Sequence, residues 1–502
     1  MVPLQDLFAR PFATISALLA AHAQERHGTR ALVGNEAVLT YGELHELTGR
    51  IAAALRRDGA ARGQPVAIVS ANSVACAAVF LGSLRAGCVP TPIALSSTSA
   101  QVVAMIADSG ALMVFVDEEA AIAMPPVGAT VIRLHLLEDW LGSEADAMPE
   151  DEIGPESPFN IIYSSGTTGT PKGIVQSHAM RWAQIKRSQG LEFGDAVTLI
   201  ATPLYSNTTL VSFLPTLAYG GTVVLLGKFN ARFFLEVAAR EPATHTMLVP
   251  VQYQRIMADP GFDSFDLSAF RLKTCTSAPL SAELKADIVR RWPGQLLEIY
   301  GMTEGGGTCL LYANQHPDKL HTVGQPAPGN DIRLIDEEGY EVPQGEIGEV
   351  VGRSPAMMTG YHGRAVDTAQ AAWEDGKGNR FIRHGDLGRF DTEGFLTLLG
   401  RSKDLIISGG FNIYPSDIEN VMIKHPAVAD CAVIGVPSEA WGETPFAFYV
   451  PTGQGIGAVE LVTWVNDQVG KTHRLSGART VSDLPRNAIG KVLERELREL
   501  WR

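Results

Sequence analysis

Residues Ile161-Ile162-Tyr163-Ser164-Ser165-Gly166-Thr167-Thr168-Gly169-Thr170-Pro171-Lys172-Gly173 change character abruptly, from apolar to hydroxyls, glycines and one lysine. The apolar start predicts a buried strand ending near Tyr163, and the remainder predicts a loop. Gly166, Gly169 and Gly173 let the backbone take positive φ and approach a ligand closely. Successive backbone N–H groups in such a loop form an anion-binding concavity. The hydroxyls of Ser164, Ser165, Thr167 and Thr168 add donors and Lys172 adds positive charge, which suits a polyphosphate. The common phosphate loop has Gly-Lys followed directly by Ser or Thr. Here Pro171 precedes the lysine and Gly173 follows it. Taken alone, such a run reads more readily as a solvated linker.

The chain around it alternates strands and helices. Residues 12–25 predict an amphipathic helix and residues 31–33 with 38–40 a short hairpin. Thr40 with Glu43 three residues on predicts a helix N-terminus, the helix ending at Asp58-Gly59. Residues 66–70 and 112–116 read as buried strands flanking an alanine-rich helix, 74–86, which implies a parallel α/β sheet. The rhythm continues through 197–201, 222–226, 245–250, 272–276 and 296–300. Ligands of open α/β sheets sit beyond the carboxyl ends of strands. The loops after Tyr163, Ala201, Thr276 and Tyr300 are therefore expected to converge on one pocket. From Gly324 short strands and Gly, Pro, Asp and Glu turns predict a small antiparallel β subdomain. A new pattern starts near residue 402, with helices at 415–424, 458–469 and 491–501 and strands at 428–436 and 445–450. The expected fold is α/β: a large N-terminal lobe, 1–401, and a small mobile α+β C-terminal domain, 402–502.

Three further stretches follow the loop in order: Tyr300-Gly301-Met302-Thr303-Glu304, Gly400-Arg401-Ser402-Lys403-Asp404, and Pro485-Arg486-Asn487-Ala488-Ile489-Gly490-Lys491. With these the chain resembles the adenylate-forming superfamily of acyl-CoA synthetases, peptide-synthetase adenylation domains and luciferases, over essentially its whole length. Within it the acid–CoA ligase branch fits best. The resemblance implies a carboxylic acid, ATP, Mg²⁺ and coenzyme A as reactants and cofactors. It gives Ser164–Gly169 and Lys172 to the phosphates, Thr303 to the α-phosphate and Glu304 to Mg²⁺, an ion that prefers hard oxygen ligands. Ser277, Ala278, Pro279, Glu298, Ile299, Tyr300, Gly301 and Met302 would line the adenine slot. Asp386 would accept from the ribose hydroxyls with Arg401 in support. His384 stands where the family usually has Thr, a departure expected to touch only a neighbour of the ribose site.

Lys491, at the expected start of the last helix, would bridge the substrate carboxylate and the α-phosphate. A carboxylate attacking an anionic phosphorus needs such a cation. The same resemblance makes Lys403 the hinge and Ser408, Gly409 and Gly410 the channel for coenzyme A. It lines the acyl pocket with Tyr205, Ser206, Asn207, Thr208, Tyr253, Ser277, Gly305, Gly306 and Gly307, the glycines leaving space. Many relatives have His in place of Ser206, and amino-acid-activating relatives have an Asp nearby. Neither is present, which points to a small or medium monocarboxylic acid and away from an α-amino acid or a long fatty chain. Alternatives are transfer to a carrier-protein thiol, a catalytically silent binding protein, and, on fold alone, a luciferase-like oxygenase.

A net charge of −14 argues against nucleic-acid binding and makes each clustered cation informative. The cysteines, Cys76, Cys88, Cys275, Cys309 and Cys431, form no metal or disulfide pattern, which fits a reducing cytosol. No signal peptide and no membrane span are expected. The oligomeric state is open, a homodimer being compatible.

Overall fold

The computed structural model describes residues 2–123, 128–142, 153–164, 171–453, 455–487 and 490–502. Its largest sheet has nine strands. Arg30–Val33, Thr222–Leu225, Val197–Ile200, His245–Leu248, Leu272–Cys275 and Gln295–Gly301 run parallel. Val38–Thr40 borders one edge antiparallel, and Thr308–Tyr312 with Gln325–Pro326 the other. A second, all-parallel sheet joins Val89–Ile93, Pro65–Val69, Met113–Val116 and Thr130–Arg133. The antiparallel subdomain is built from Asp331–Ile335, Gly348–Arg353, Arg380–Phe390, Ala372–Glu374 and Leu396–Arg401. After the 3₁₀ turn Ser402–Asp404 comes a small α+β unit, whose five-stranded sheet is centred on Gly442–Pro451, with Val428–Ser438 antiparallel along its edge.

Local chemistry explains the element starts. Thr40 accepts from the Glu43 backbone while the Glu43 carboxylate takes the Thr40 N–H, a capping box opening Tyr41–Arg57. Ser73, Thr98, Ser177, Asn230 and Ser281 cap their helices in the same way through a side-chain oxygen. Helix Val74–Arg85 is buried on every side, as its near-continuous apolar sequence requires. In the other half of the lobe Trp292 is fully buried with Phe234, Tyr253, Phe262 and Phe270 around it in edge-on contact.

Two expectations are corrected. The strand ending at Tyr163 does not belong to the parallel sheet. Pro158–Ser164 pairs antiparallel with Lys172–Ser177 in a separate three-stranded sheet with Gly360–Tyr361. Only residues 165–171 separate the two strands, too few for the dozen or more that a parallel crossover needs. The last helix begins at Glu494 rather than at 491. Gly490, at φ +80°, and the bond from Leu493 N–H to the Pro485 carbonyl place Lys491 in a tight turn ahead of it.

The strand leading into the site is anchored from behind. Glu298 on Gln295–Gly301 is buried in an ion pair with Lys285, whose ammonium also donates to the carbonyls of Leu320 (2.8 Å) and Thr322 (2.9 Å). Truncating one partner leaves the other charge buried alone, so E298L is expected to cost about 3–5 kcal/mol, and the double change K285M/E298L markedly less. Urea melts of the two variants check this; equal losses would contradict it.

Candidate functional site

Tyr300 ends the strand Gln295–Gly301, and its hydroxyl lies 2.7 Å from Asp386 Oδ2 and 3.0 Å from His384 Nδ1. His384 is buried, and its Nε2–H donates to the Gly306 carbonyl at 2.8 Å. That bond leaves Nδ1 of the neutral ring as an acceptor, so the single phenol proton is shared between imidazole and carboxylate. Burial holds the imidazole below its ordinary pKa. Arg401 Nε meets the other oxygen of Asp386 at 3.1 Å. The pairing is dictated by register, since Asp386 and Arg401 stand directly opposite each other on adjacent antiparallel strands. Asp386, Arg401, Tyr300 and His384 are thus one network; His384 is a member of it rather than a bystander.

A second cluster forms around Tyr361. Its hydroxyl donates to Glu304 Oε1 at 2.8 Å, and Lys172 Nζ lies 5.2 Å from the centre of its ring. Lys172 pairs with Asp367 at 2.9 Å. The Glu304 carbonyl accepts from Met358 N–H, and the Thr303 carbonyl from Gln176 Nε2, both at 2.8 Å. The second oxygen of Glu304 has no partner among the described residues. A half-buried carboxylate with one oxygen on Tyr361 and the other without a partner among the described residues suits Mg²⁺, which takes one or two protein carboxylates and fills its sphere with water and phosphate oxygens. Ser164 ends its strand next to this cluster by pairing with Lys172. Ser165, Gly166, Thr167, Thr168 and Gly169 lie outside the described residues.

Among the residues that the resemblance gives to the acyl pocket, Ser277 Oγ and Thr208 Oγ1 are 2.6 Å apart, and Ser277 holds φ +82°, a conformation L-residues rarely adopt. Ser206 is buried and caps helix Asn207–Tyr219. Tyr205 and Ala278 are half-buried and Pro279 is exposed at the rim, while Ile299, Gly301 and Met302 follow the strand into the same region. Glu298, expected at the adenine slot, turns its side chain away to Lys285. Two expectations change. Tyr253 is a core residue, fully buried with its hydroxyl on the Thr274 carbonyl at 3.0 Å. The glycines after Glu304 do not open space. Cβ atoms built on Gly305, Gly306 and Gly307 would meet the Ala356 carbonyl at 1.7 Å, Ile382 at 2.9 Å and Ile332 at 2.3 Å. Their bareness lets the loop pack against the antiparallel subdomain.

The small unit brings one residue into this arrangement. The Asn487 side chain accepts from Lys491 N–H, and Asn487 N–H donates to the Lys491 carbonyl, both at 2.9 Å. Arg486 donates to the Gly490 carbonyl and to Asp430, both at 2.7 Å. Gly490 rests on Val251 and Val249 of the large lobe, where an added Cβ would come within 2.9 Å of Val251. Lys491 is thereby half-buried, with Arg401, Lys403, Asp404 and Asp386 as its electrostatic neighbours. Burial first, then Arg401 and Lys403, pull its ammonium down to about 8. Ser408, Gly409 and Gly410 are elsewhere, on a hairpin whose Gly409 N–H bonds the Trp441 carbonyl at 2.8 Å and whose Phe411 is exposed. Among the described residues no hydrogen bond or ion pair joins that hairpin to the Tyr300 network.

A carboxylate held by arginine and tyrosine, a second bonded to Tyr361, and a turn from the small unit that carries Lys491 thus gather acids and cations around the end of the Tyr300 strand. Residues 19–362 match the AMP-binding enzyme family, and residues 417–491 match the AMP-binding enzyme C-terminal domain. The chain belongs to the AMP-binding enzyme family. It is accordingly an adenylate-forming enzyme of the acid–thiol ligase class, whose members use ATP with Mg²⁺ and commonly coenzyme A. It is 32% identical to the fatty acid–[acyl-carrier-protein] ligase ScoC of Streptomyces coeruleorubidus, over 95% of this chain and 94% of that one. It is 33% identical to a feruloyl-CoA synthase of Amycolatopsis sp, over 94% and 96%. ATP-bound MatB of Rhodopseudomonas palustris superimposes with a TM-score of 0.87 at 31% identity, covering 97% of this chain and 99% of that one.

Sequence reading missed Tyr361, Asp367, Gln176 and the part played by His384. Tyr361 and Asp367 reach the cluster only because a short strand pairs with Lys172–Ser177, a contact with no local signal. The Tyr300 network carries its own test. Y300F removes the donor to Asp386, a loss of roughly 1 kcal/mol or about fivefold. The KM for ATP should rise by that factor with the KM for the acid unmoved; parallel changes in both would contradict the assignment.

Proposed function

We propose that this enzyme is an ATP-dependent acid–CoA ligase working by domain alternation. In the first half-reaction a carboxylate oxygen attacks the α-phosphorus of ATP, forming an acyl-adenylate and releasing pyrophosphate. In the second, the sulfur of coenzyme A attacks the acyl carbonyl and AMP leaves. Asp386, supported by Arg401 and Tyr300, holds the ribose. Lys172 and the hydroxyls of Ser164, Ser165, Thr167 and Thr168 would receive the phosphates, Thr303 would contact the α-phosphate, and Glu304 would help hold Mg²⁺, which would offset phosphate charge. Lys491 stabilises the charge that builds between carboxylate and phosphorus. The observation that carries this reading is the presence of Lys491, on a turn from the small unit, among the charges of Asp386 and Arg401.

For the second step the region after Arg401 turns about Lys403, withdrawing Lys491 and bringing in Ser408-Gly409-Gly410. We take residues 1–401 and 402–502 as the two moving parts. The polar groups of Asn207, Thr208 and Ser277, with Tyr205 and Ser206, support a small or medium acid. A carrier-protein thiol is the competing acceptor, and the similarity to ScoC supports it. A silent scaffold would be expected to lose Glu304 or Lys491, and both are present. No helix among the described residues is long and apolar enough to cross a membrane. The free cysteines support a reducing cytosol.

K491A is expected to slow adenylation by about 10²–10³-fold while sparing thioester formation from preformed acyl-adenylate. Equal losses in both half-reactions would remove the assignment. The pH dependence has a defined sign. The charge is present below the pKa and lost above it, so kcat/KM for adenylation should fall as pH rises through about 8. That limb should vanish in K491A; its persistence would assign it to another group.

A further inference from the structure

Arg181 lies on helix His178–Arg187 and is 1% exposed. Its guanidinium has five protons to place. Nε donates to Asn160 Oδ1 at 3.2 Å, Nη1 to Gln184 Oε1 at 2.6 Å and Asn207 Oδ1 at 2.8 Å, and Nη2 to Asn160 Oδ1 at 3.0 Å and to Gln176 Oε1. Every acceptor is a neutral amide. Among the described residues no carboxylate pairs with this cation, and burial alone pulls it down to about 9, so it stays charged at neutral pH. A buried guanidinium without a counter-anion is costly unless something supplies one.

The cation also fixes the orientation of the amides. With each carbonyl oxygen turned to Arg181, each NH₂ must point away. Gln176 uses its nitrogen on the Thr303 carbonyl. Asn160 Nδ2 is buried with no partner, a penalty the arrangement tolerates. Asn207 is only half-buried, and its nitrogen has no partner among the described residues. Asn207 is the first residue of the helix whose next side chain, Thr208, meets Ser277. The half-buried Asn207 amide, at the start of the helix that carries the Thr208–Ser277 contact, is thus an N–H donor backed by a full positive charge.

We propose that Arg181, acting through Asn207, is a specificity-determining positioning residue, and that the acid activated here carries a second, distal carboxylate held by the Asn207 amide. This replaces the monocarboxylic acid favoured on sequence, and it rests on the acid-activating reading above. The negative end of the substrate supplies the counter-charge the fold leaves out, and the Asn207 N–H fixes its position. An acid ending in methyl leaves that donor unpaired in the field of a buried cation.

Initial rates of acid-dependent pyrophosphate release test this with matched pairs, glutarate against valerate and terephthalate against 4-methylbenzoate. The wild-type enzyme should favour the dicarboxylate by about tenfold or more in kcat/KM. N207D puts a carboxylate against Arg181 in nearly the same volume, so it should raise the melting midpoint and reduce that preference at least about tenfold, with the KM for ATP unmoved. R181M should move the preference the same way. A purely structural Arg181 would let N207D raise stability with no change in the ratio, and that result overturns the inference. Release confined to the neutral acids overturns it too while leaving acid activation standing. Release with no acid overturns both.

Discussion

Lys491 sits among Arg401, Lys403, Asp404 and Asp386, on a turn pinned by Asn487 and by Gly490 against Val251 and Val249. Much of the site depends on that meeting. The protein as a whole carries a net charge of −14, so attraction for a polyphosphate must come from a few cations brought close together. Arg401 and Lys172 each have a carboxylate partner, Asp386 and Asp367, which fixes their position but offsets their charge. Lys491 is opposed by its surroundings instead: burial and two neighbouring cations disfavour its charged form. An anion arriving between these groups reverses that balance. On the proposed reading, docking of the small unit, protonation of Lys491 and occupation by a triphosphate would be coupled, and departure of pyrophosphate would weaken that coupling.

The scaffold shows how much of this was legible in the chain. Helix starts were written locally: the Thr40–Glu43 capping box needs only four residues, and it formed as read. Buried parallel strands were legible because continuous apolar runs have few other uses. Pairing partners were not. The strand ending at Tyr163 is as apolar as its parallel counterparts, and only the short separation from Lys172 shows that it must turn back on itself. The terminal helix was read too long because Lys491-Val492-Leu493 suit a helix, while Gly490 and the Asn487 side chain hold them in a turn.

The site followed the same division. Tyr300, Asp386 and Arg401 were nameable through motifs, and register brings them within hydrogen-bonding distance. The glycines after Glu304 were visible but their purpose was not, because a missing side chain leaves room for whatever packs there, here Ala356 and Ile382. Arg181 had no motif at all. Its significance comes from four amides gathered from four elements and from the lack of any acid among them. Such a group resembles a core defect in stability terms, and the proposed distal carboxylate of the substrate would complete its charge.

On the proposed reading, this constellation joins a carboxylate to the α-phosphate before any thiol takes part. Exchange of labelled pyrophosphate into ATP, with acid present and no thiol, measures that step alone. Exchange should require Mg²⁺, depend on the identity of the acid and proceed without coenzyme A or a carrier protein. Exchange that occurs only when a thiol acceptor is added, or that ignores the acid, would contradict it.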